Sequence, residues 1–211
     1  MAVISDISVS LDGYVAGPNQ TLEQPLGEGG EGLHEWVFGL KSWREPHGLE
    51  GGEAGLDDDV MSEAIDRKGA TIMGRRMFSS GEGPWENDPK ANGWWGDEPP
   101  FRHPVFVLTH HAREPLELQG TTFTFVTDGI EAALGQARAA AGDRDVHLAG
   151  GANVIQQFLN AGLLDELELH VVPLLLGGGV RLLDGVHGVG LEPSRVVDSP
   201  AVTHLRYRVT R

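Results

Sequence analysis

Through the middle of the chain, short apolar runs alternate with longer segments that have helical spacing. Four of the runs have the β-branched or aromatic content of buried strands: ATIMG (70–74), PVFVLT (104–109), TTFTFVT (121–127) and DVHLA (145–149). Apolar residues recur at helical intervals in IEAALGQARAAA (130–141) and NVIQQFLNAG (153–162). Strands that alternate with helices need crossover connections, which favour parallel pairing with helices on both faces. The pattern therefore predicts an α/β fold with three layers, α-β-α, around a mostly parallel central sheet.

The two ends of the chain extend this layout. The start, AVISDISVSLDGYVAG, predicts a strand that breaks at Asp12-Gly13. Helices are predicted over about 33–44 and from Asp57 to Lys68, the second because consecutive aspartates suit the positive end of a helix. From about residue 166 the pattern is rich in strands, which we expect to pair antiparallel at a C-terminal edge of the sheet. A chain of 211 residues can bury one core, so we expect a single domain over residues 1–211.

Charge and composition exclude several classes of function. The net charge is −15, so broad contact with nucleic acid or an anionic membrane would be repulsive. The chain has no cysteine, which excludes disulfides, a thiolate nucleophile and cysteine-bound zinc. It has neither a long apolar run nor a signal-peptide pattern, so we expect a soluble, cytoplasmic protein. An anionic small ligand stays compatible with this charge wherever basic residues cluster.

The glycine pair Gly150-Gly151 stands between a predicted strand and a predicted helix. The first turn of a helix presents unpaired N–H groups and a partial positive charge, and glycine lets a phosphate approach them closely. The pair suits a diphosphate, although close packing of the strand against the helix explains it equally well. The G-x-G-x-x-G fingerprint is absent, so an ordinary Rossmann site is not predicted.

A second strand end carries two adjacent arginines. In IMGRRMF, Arg75 and Arg76 follow Gly74 at the start of a predicted helical turn. Guanidinium groups form bidentate hydrogen bonds with phosphate and stay charged near neutral pH. In a chain this acidic, the pair indicates an anion site. The alternative is a solvated pair that bridges to nearby carboxylates.

A third strand end, in VFVLTHHAR, carries His110, His111 and Arg113 after a strand that ends at Thr109. Open α/β sheets bind their ligands at the carboxyl ends of the strands, so these side chains can hold a second phosphate. A polar strand end without a ligand is the structural alternative. A histidine-bound metal is the functional alternative and ranks lowest, because no metal-ligand spacing accompanies the pair.

Together, the three strand ends indicate a dinucleotide that carries an additional phosphate. Their order and spacing, in GRRMF, VLTHHAR and LAGGANVIQQFL, resemble the dihydrofolate reductase fold, and especially the reductase domain of bacterial riboflavin-biosynthesis deaminase-reductases with its free-standing relatives. The resemblance runs from SVSLDGYVAG to LLDELELHVVPLLLGGGVRLL and a closing strand. It implies a dihydrofolate reductase-like sheet and NADPH as the cofactor.

The resemblance also implies which residues bind NADPH. Val15 and Ala16 would lie beside the nicotinamide. The diphosphate and the 2′-phosphate would be met by Gly74, Arg75 and Arg76, and the diphosphate also by Gly150, Gly151, Ala152 and Asn153. The adenine and the 2′-phosphate would be flanked by Leu108, Thr109, His110 and Arg113. Replacing Arg75 or Arg76 by alanine should then weaken NADPH binding far more than NADH binding.

The proton donor is open between three residues. Asp12 matches an acidic position of the riboflavin-type branch, which implies contact with the substrate and a general-acid role if burial raises its pKa. As part of an Asp-Gly pair, it can instead simply shape a turn. Folate-reducing members place a carboxylate on the first helix, where this chain offers His34 or Glu35. Each of these also suits the surface of an amphipathic helix, and folate reduction is not predicted.

Trp36, Phe78 and Trp85 are candidates for the wall of a flat, heteroaromatic substrate site, with core packing as the alternative. The sequence therefore predicts an NADPH-dependent reductase that transfers a hydride to a small heterocyclic or ribosylamino-pyrimidine-like substrate. The alternatives are a pterin or xenobiotic carbonyl reductase on the same scaffold, and an NADPH-binding protein without catalysis. The resemblance implies a homodimer formed through the later strands.

Overall fold

A nine-stranded sheet lies at the centre of the computed structural model, which describes residues 1–210. Its strands are β1 (Val3–Ser10), β3 (Lys68–Gly74), β4 (Val105–Leu108), β5 (Leu116–Leu118), β6 (Thr121–Val126), β7 (Asp145–Gly150), β8 (Glu166–Val172), β10 (Gly190–Asp198) and β11 (Thr203–Thr210). The short strands β2 (Tyr14–Ala16) and β9 (Val180–Arg181) form a separate antiparallel pair.

The order across the sheet is β10-β11-β8-β1-β7-β3-β4-β6-β5. Every neighbouring pair from β8 to β6 is parallel. Strands β11 and β10 at one edge, and β5 at the other, are antiparallel. The mostly parallel sheet and the antiparallel C-terminal edge are therefore confirmed, whereas β5 and β10 were not predicted as separate strands.

Helices cover both faces of the sheet. They are α1 (Glu35–Phe38), α2 (Lys41–Arg44), α3 (Leu56–Arg67), α4 (Arg75–Ser79), α5 (Ile130–Ala141) and α6 (Ala152–Ala161), with short 3-10 helices at Gly30–Leu33, Glu45–His47 and Trp85–Asn87. The predictions for α3, α5 and α6 agree with these bounds to within one residue. Within residues 1–210, no helix is long and apolar enough to cross a membrane.

The two faces of the sheet differ in polarity. The face beneath α5 and α6 is apolar, and Ile72, Leu148 and Phe158 are fully buried there. Burial of each such side chain contributes about 1.5–3 kcal/mol to folding. Because strand residues alternate between faces, the intervening residues lie on the opposite face. This face is apolar at β3, β4 and β6, where Met73, Val107 and Phe123 are buried, and polar at β1, β8 and β11. There α3 contacts the sheet through polar pairs that include Asp57 with His204 and Glu63 with Arg206.

The single helix predicted over 33–44 is wrong, because the segment breaks at Gly39 and Leu40. Leu40 is extended, with φ −72° and ψ 144°, and it is buried. The loop at Glu53 pairs with this point, since Lys41 N donates to Glu53 O at 3.1 Å and Glu53 N donates to Gly39 O at 2.8 Å. Glycine has a low helix propensity, so this tertiary pairing overrides the helical spacing.

Candidate active site

Three adjacent strands end together at one edge of the sheet. Strands β7, β3 and β4 are parallel neighbours, with Met73 opposite Gly150 and Gly74 opposite Leu108. The three turns that the sequence marked as phosphate-binding are therefore brought side by side. This edge is the carboxyl end of the parallel strands, where ligands of such sheets bind.

The glycines at this edge leave backbone amides accessible. Gly151 is the N-cap residue of α6, no side chain caps this helix, and its first turn has no acidic residue. A Cβ atom built on Gly151 meets nothing within 4 Å. A Cβ atom at Gly74 would lie 3.9 Å from Gly151 N and 3.1 Å from Val154 Cγ2, so the two turns are in close contact. The Gly150-Gly151 peptide bond is cis.

These features fit the diphosphate of a dinucleotide. The first amides of a helix have no partner within the helix, and the helix dipole adds partial positive charge. Gly150 has φ +115°, a conformation that residues with a side chain rarely adopt. Ala152 is buried, whereas Gly151 and Asn153 are exposed, so the helix start faces solvent at Gly151 and Asn153.

Arg75 is held inside the molecule and is not free at the rim. Its side chain is 10% exposed, and Nη2 lies 2.6 Å from Oδ2 of Asp88, whose side chain is fully buried. Its guanidinium carbon lies 3.2 Å from the centre of the Trp85 ring, and Nε donates to Ser79 Oγ at 3.1 Å. The expectation that Arg75 binds phosphate has to be corrected at this point, because the group already has a full set of internal partners.

The remaining basic residues at the edge are more accessible. Arg76 has a side chain that is 77% exposed, and it pairs with Glu82 at the surface. His110 is exposed directly after β4, whereas Thr109 is buried and its hydroxyl accepts the His111 N–H at 3.2 Å. Arg76 and His110 are therefore the side chains here that a phosphate can reach without breaking a buried contact.

Arg113 lies beside Arg75 against the same aromatic surface. Its guanidinium carbon is 4.7 Å from the Trp85 ring centre and 4.6 Å from that of Phe125, and it also donates to Ala91 O. Burial, followed by the positive charge of Arg75, lowers the pKa of Arg113. The half-buried Arg113 thus belongs to an aromatic and cationic cluster behind the strand ends.

Asp12 is ionised and anchors a neighbouring loop. The Ser10 hydroxyl donates to its Oδ1 at 2.6 Å, and the N–H groups of Leu176 and Gly177 donate to the same carboxylate at 3.1 and 2.7 Å. The Ser10 hydrogen bond, with those of Gly177 and Leu176, lowers the pKa of Asp12 to about 2. The condition for a general-acid role, a pKa raised by burial, is therefore not met.

Val15 and Ala16 lie in β2, next to the loop that Asp12 anchors. Both are buried, and Ala16 is opposite Val180 of β9. The pair β2–β9 thus brings the loop after β8 against the loop after β1. This arrangement places Val15 and Ala16 beyond the end of β1, which neighbours β7 and its glycine turn.

The three aromatic candidates do not form one wall. Phe78 is fully buried and packs edge to face against Trp85, Phe123 and Phe125, so it is a core residue and its assignment to the substrate site is corrected. Trp36 donates to Ser8 Oγ of β1 at 3.1 Å. Strands β7, β3 and β4 separate β1 from β6, on which Trp85 packs, so Trp36 and Trp85 border different parts of the edge.

Of the helix candidates for the proton donor, His34 is half-buried and Glu35 is exposed. Burial lowers the pKa of His34, and its Nδ1 is a buried atom without a hydrogen-bond partner among residues 1–210. Glu35 occupies the first turn of α1, where a carboxylate suits the helix dipole. This position agrees with the alternative reading of Glu35 as a surface residue.

Sequence reasoning missed a buried polar layer under α3. Lys68 Nζ lies 2.9 Å from Asp6 Oδ2, and His147 Nε2 lies 3.2 Å from the same oxygen. Burial alone would raise the pKa of Asp6, but Lys68 and His147 outweigh it and hold that pKa well below its usual value. A period of two was the available signal, since Asp6, Ser8 and Ser10 recur along β1 as do Glu168 and His170 along β8.

The chain is similar to known proteins in both sequence and fold. The family model of the RibD C-terminal domain matches residues 1–202. An uncharacterized protein of Bacillus subtilis, YyaP, is 24% identical over 187 residues, which are 85% of this chain and 79% of that protein. The riboflavin biosynthesis protein RibD of Corynebacterium ammoniagenes is 48% identical over 44 residues, which are 21% of this chain and only 13% of that protein.

Solved structures show the same fold. A putative riboflavin biosynthesis protein from Shewanella sp. PV-4 has a TM-score of 0.66 at 21% identity and matches over 100% of both chains. A diaminohydroxyphosphoribosylaminopyrimidine deaminase/5-amino-6-(5-phosphoribosylamino)uracil reductase from Thermotoga maritima has a TM-score of 0.56 at 14% identity, over 98% of this chain and 56% of that one. A pyrimidine reductase-like protein from Corynebacterium diphtheriae has a TM-score of 0.52 at 14% identity, over 100% of this chain and 92% of that one.

Proposed function

The chain belongs to the RibD C-terminal domain family, and from this we propose that it is an NADPH-dependent reductase of a small heterocyclic or ribosylamino-pyrimidine-like substrate. The family itself points to an oxidoreductase that acts on a pyrimidine-like compound. The use of NADPH and direct hydride transfer are the finer parts of the proposal. The observation that carries them is the open start of α6 at Gly151, in contact with the Gly74 turn.

The residues at this edge have two proposed roles: some would bind NADPH, and others would hold the turns in place. When bound, NADPH supplies the hydride. The amides of Gly151, Ala152 and Asn153 would hold its diphosphate, and Arg76 with His110 would meet the 2′-phosphate. Arg75 would keep the turn after β3 in place through its buried contacts.

Calorimetry with NADPH and NADH tests the cofactor assignment. Gly151→Ala should keep the fold, because Gly151 has φ −71° and its Cβ would enter open space. That Cβ stands where a phosphate would approach, so we expect the affinity for NADPH to fall at least tenfold. Gly135→Ala is the matched control, since its Cβ also meets nothing but lies on α5. No heat with NADPH, or equal affinities in both variants, would contradict the assignment.

Two further measurements separate the alternatives. Arg76→Ala should weaken NADPH binding far more than NADH binding, because its exposed guanidinium is the group proposed to meet the 2′-phosphate. A panel of ribosylamino-pyrimidine, pterin and carbonyl compounds, followed by NADPH absorbance, separates the three reductase hypotheses. Binding of NADPH without turnover of any of them would favour the protein without catalysis. The homodimer stays a prediction, which size-exclusion chromatography with light scattering can test.

A further inference from the structure

Three polar side chains form a hydrogen-bonded chain from α3 to β8, away from the glycine turns. Asp57 Oδ1 lies 3.0 Å from His204 Nε2, and His204 Nδ1 lies 2.7 Å from His170 Nδ1. Both histidines are at least 98% buried, whereas the Asp57 side chain is 17% exposed. At the inner end, His170 Nε2 is buried and has no hydrogen-bond partner among the residues that the structure describes.

These contacts determine which ring nitrogen carries the proton in each histidine when both imidazoles are neutral. A carboxylate only accepts, so His204 Nε2 carries the proton that faces Asp57. His204 Nδ1 is then an acceptor, and His170 Nδ1 must donate to it. His170 Nε2 is consequently left as a bare lone pair. A buried acceptor without a partner is unfavourable, and such an atom requires an explanation.

His170, which carries the unpartnered nitrogen, lies two residues before the carboxyl edge of the sheet. His170 is directly opposite Ser8 in the β1–β8 pair, and the edge follows two residues later, where Ser10 is opposite Val172. The Trp36 ring centre is 5.0 Å from that of His170, and the Trp36 N–H donates to Ser8. Trp36 was predicted as a substrate-site residue, so the hydrogen-bonded chain ends beside one candidate for that site.

We propose that His170 and His204 store one proton, with Asp57 as its counter-ion, and deliver it from His170 Nε2 to the substrate. This inference rests on the proposed reductase function. Uptake requires that the buried Nε2 become accessible from the substrate site. Water there gives a proton to His170 Nε2 and leaves hydroxide in the solvent, the Nδ1 proton of His170 moves to His204 Nδ1, and His204 becomes an imidazolium against Asp57. NADPH would supply the hydride with its two electrons, and the substrate atom left electron-rich would take the proton from His170 Nε2. The Nδ1 proton of His204 then returns to His170, which restores the neutral pair.

The surrounding charges are compatible with one stored proton. Three carboxylates favour it: Asp57 from α3, Asp6 from β1 and Glu168 from β8. The nearby cations are both paired with carboxylates, Lys68 with Asp6 and Arg206 with Glu63 and Glu168. Burial is the main cause that lowers the pKa of His170, to about 3, so a second proton on the pair is disfavoured.

Nuclear magnetic resonance of ¹⁵N-histidine in the protein without ligand tests the proton store directly. Above about pH 8 we expect His170 as the Nδ1–H tautomer and His204 as the Nε2–H tautomer. As the pH is lowered stepwise from about 8, we expect the pair to take up one proton. In that step His204 should become an imidazolium while His170 switches to the Nε2–H tautomer. A His170 that keeps its Nδ1 proton throughout, or a pair that takes up no proton, would overturn the proposal.

Kinetics test the delivery, with NADPH and 5-amino-6-(5-phosphoribosylamino)uracil as the probe. In His204→Gln, the side-chain amide can still donate to Asp57 but cannot store a proton. The hydride-transfer rate constant at neutral pH should fall roughly 100-fold, the low end for general acid catalysis being about that size, while KM is retained. The dependence of this rate on pH should also flatten. His103→Gln is the control, since His103 is a half-buried histidine that contacts Thr71 and not the pair.

The two proposals fail in distinguishable ways. If the wild-type protein turns over none of the substrates, the reductase function fails, and the tautomer switch seen by resonance still decides whether the pair stores a proton. If the wild-type protein turns over the probe but His204→Gln and His103→Gln have the same rate and pH profile, the delivery step is refuted and the reductase function stands. Loss of the fold in His204→Gln would show in the spectrum, and the wild-type titration then decides.

Discussion

Replacing Arg75 by methionine should destabilise the fold by about 3–5 kcal/mol, because the buried Asp88 carboxylate would lose its cation. The Asp88 side chain is fully buried and the Arg75 side chain is 10% exposed, so solvent screens this pair little. Two hydrogen bonds to Asp88 remain, from Ser79 Oγ at 2.7 Å and from Lys90 N at 2.9 Å. They offset part of the loss, so the expected value lies near the lower end of the range.

Urea denaturation of a double-mutant cycle measures this contribution. Asp88→Asn, Arg75→Met and the double variant should give a coupling free energy of about 2 kcal/mol or more, since the double variant leaves no unpaired buried charge. Arg76→Met is the matched control, because its exposed pair with Glu82 should contribute less than about 1 kcal/mol. If Arg75→Met and Arg76→Met have the same free energy of unfolding, the structural role given to Arg75 is wrong.

The same variants separate support from phosphate binding. If Arg75 only holds the turn, Arg75→Met should weaken NADPH and NADH binding by similar factors. A loss confined to NADPH would mean that Arg75 leaves Asp88 to meet the 2′-phosphate. Calorimetry with both nucleotides on the folded variant decides between these outcomes.

Three further predictions concern stability and local order. Phe158→Ala should destabilise the protein by about 3–5 kcal/mol in urea denaturation, because the fully buried ring packs under the apolar face of the sheet. Burial lowers the pKa of His170 to about 3, so the folded state excludes a proton that the unfolded state binds; the His170 contribution to stability should be complete above about pH 6.5 and should fall below it by up to about 1.4 kcal/mol per pH unit. Burial also lowers the pKa of His34, His103 and His147, so the total fall measured by denaturation at several pH values should be at least as steep. Asp12→Asn should speed hydrogen exchange at the Leu176 and Gly177 amides, whereas unchanged exchange would contradict the anchoring role of Asp12.

The parallel centre of the sheet and its three strand ends could be predicted because their signals are local. Each strand is a short apolar run, each is followed by glycine or by polar residues, and α5 and α6 have continuous helical spacing. Parallel strands share one carboxyl edge, so the placement of Gly74, Leu108 and Gly150 at the same edge followed from the fold class. Their direct adjacency depends on the strand order β7-β3-β4, which the sequence pattern did not predict.

The partners of individual side chains could not be predicted in the same way. Asp88 lies in an irregular loop, and nothing in the sequence pattern links it to Arg75. The proton chain joins Asp57 of α3, His170 of β8 and His204 of β11, which are far apart in sequence and meet only when the sheet order is known. The break at Leu40 had the same cause, because it depends on pairing with Glu53 across an intervening loop.

That break has a consequence for how this scaffold can diversify. The proposed substrate side is covered by helical pieces of three or four residues, and such pieces are too short to be stable alone in water. Their order is supplied by contacts such as Trp36 with Ser8 and Ser42 with Asp58. The proposed cofactor edge, by contrast, is formed by the strands themselves. We therefore expect that exchanging residues 30–47 changes substrate preference while the strand ends, and the fold beneath them, stay intact.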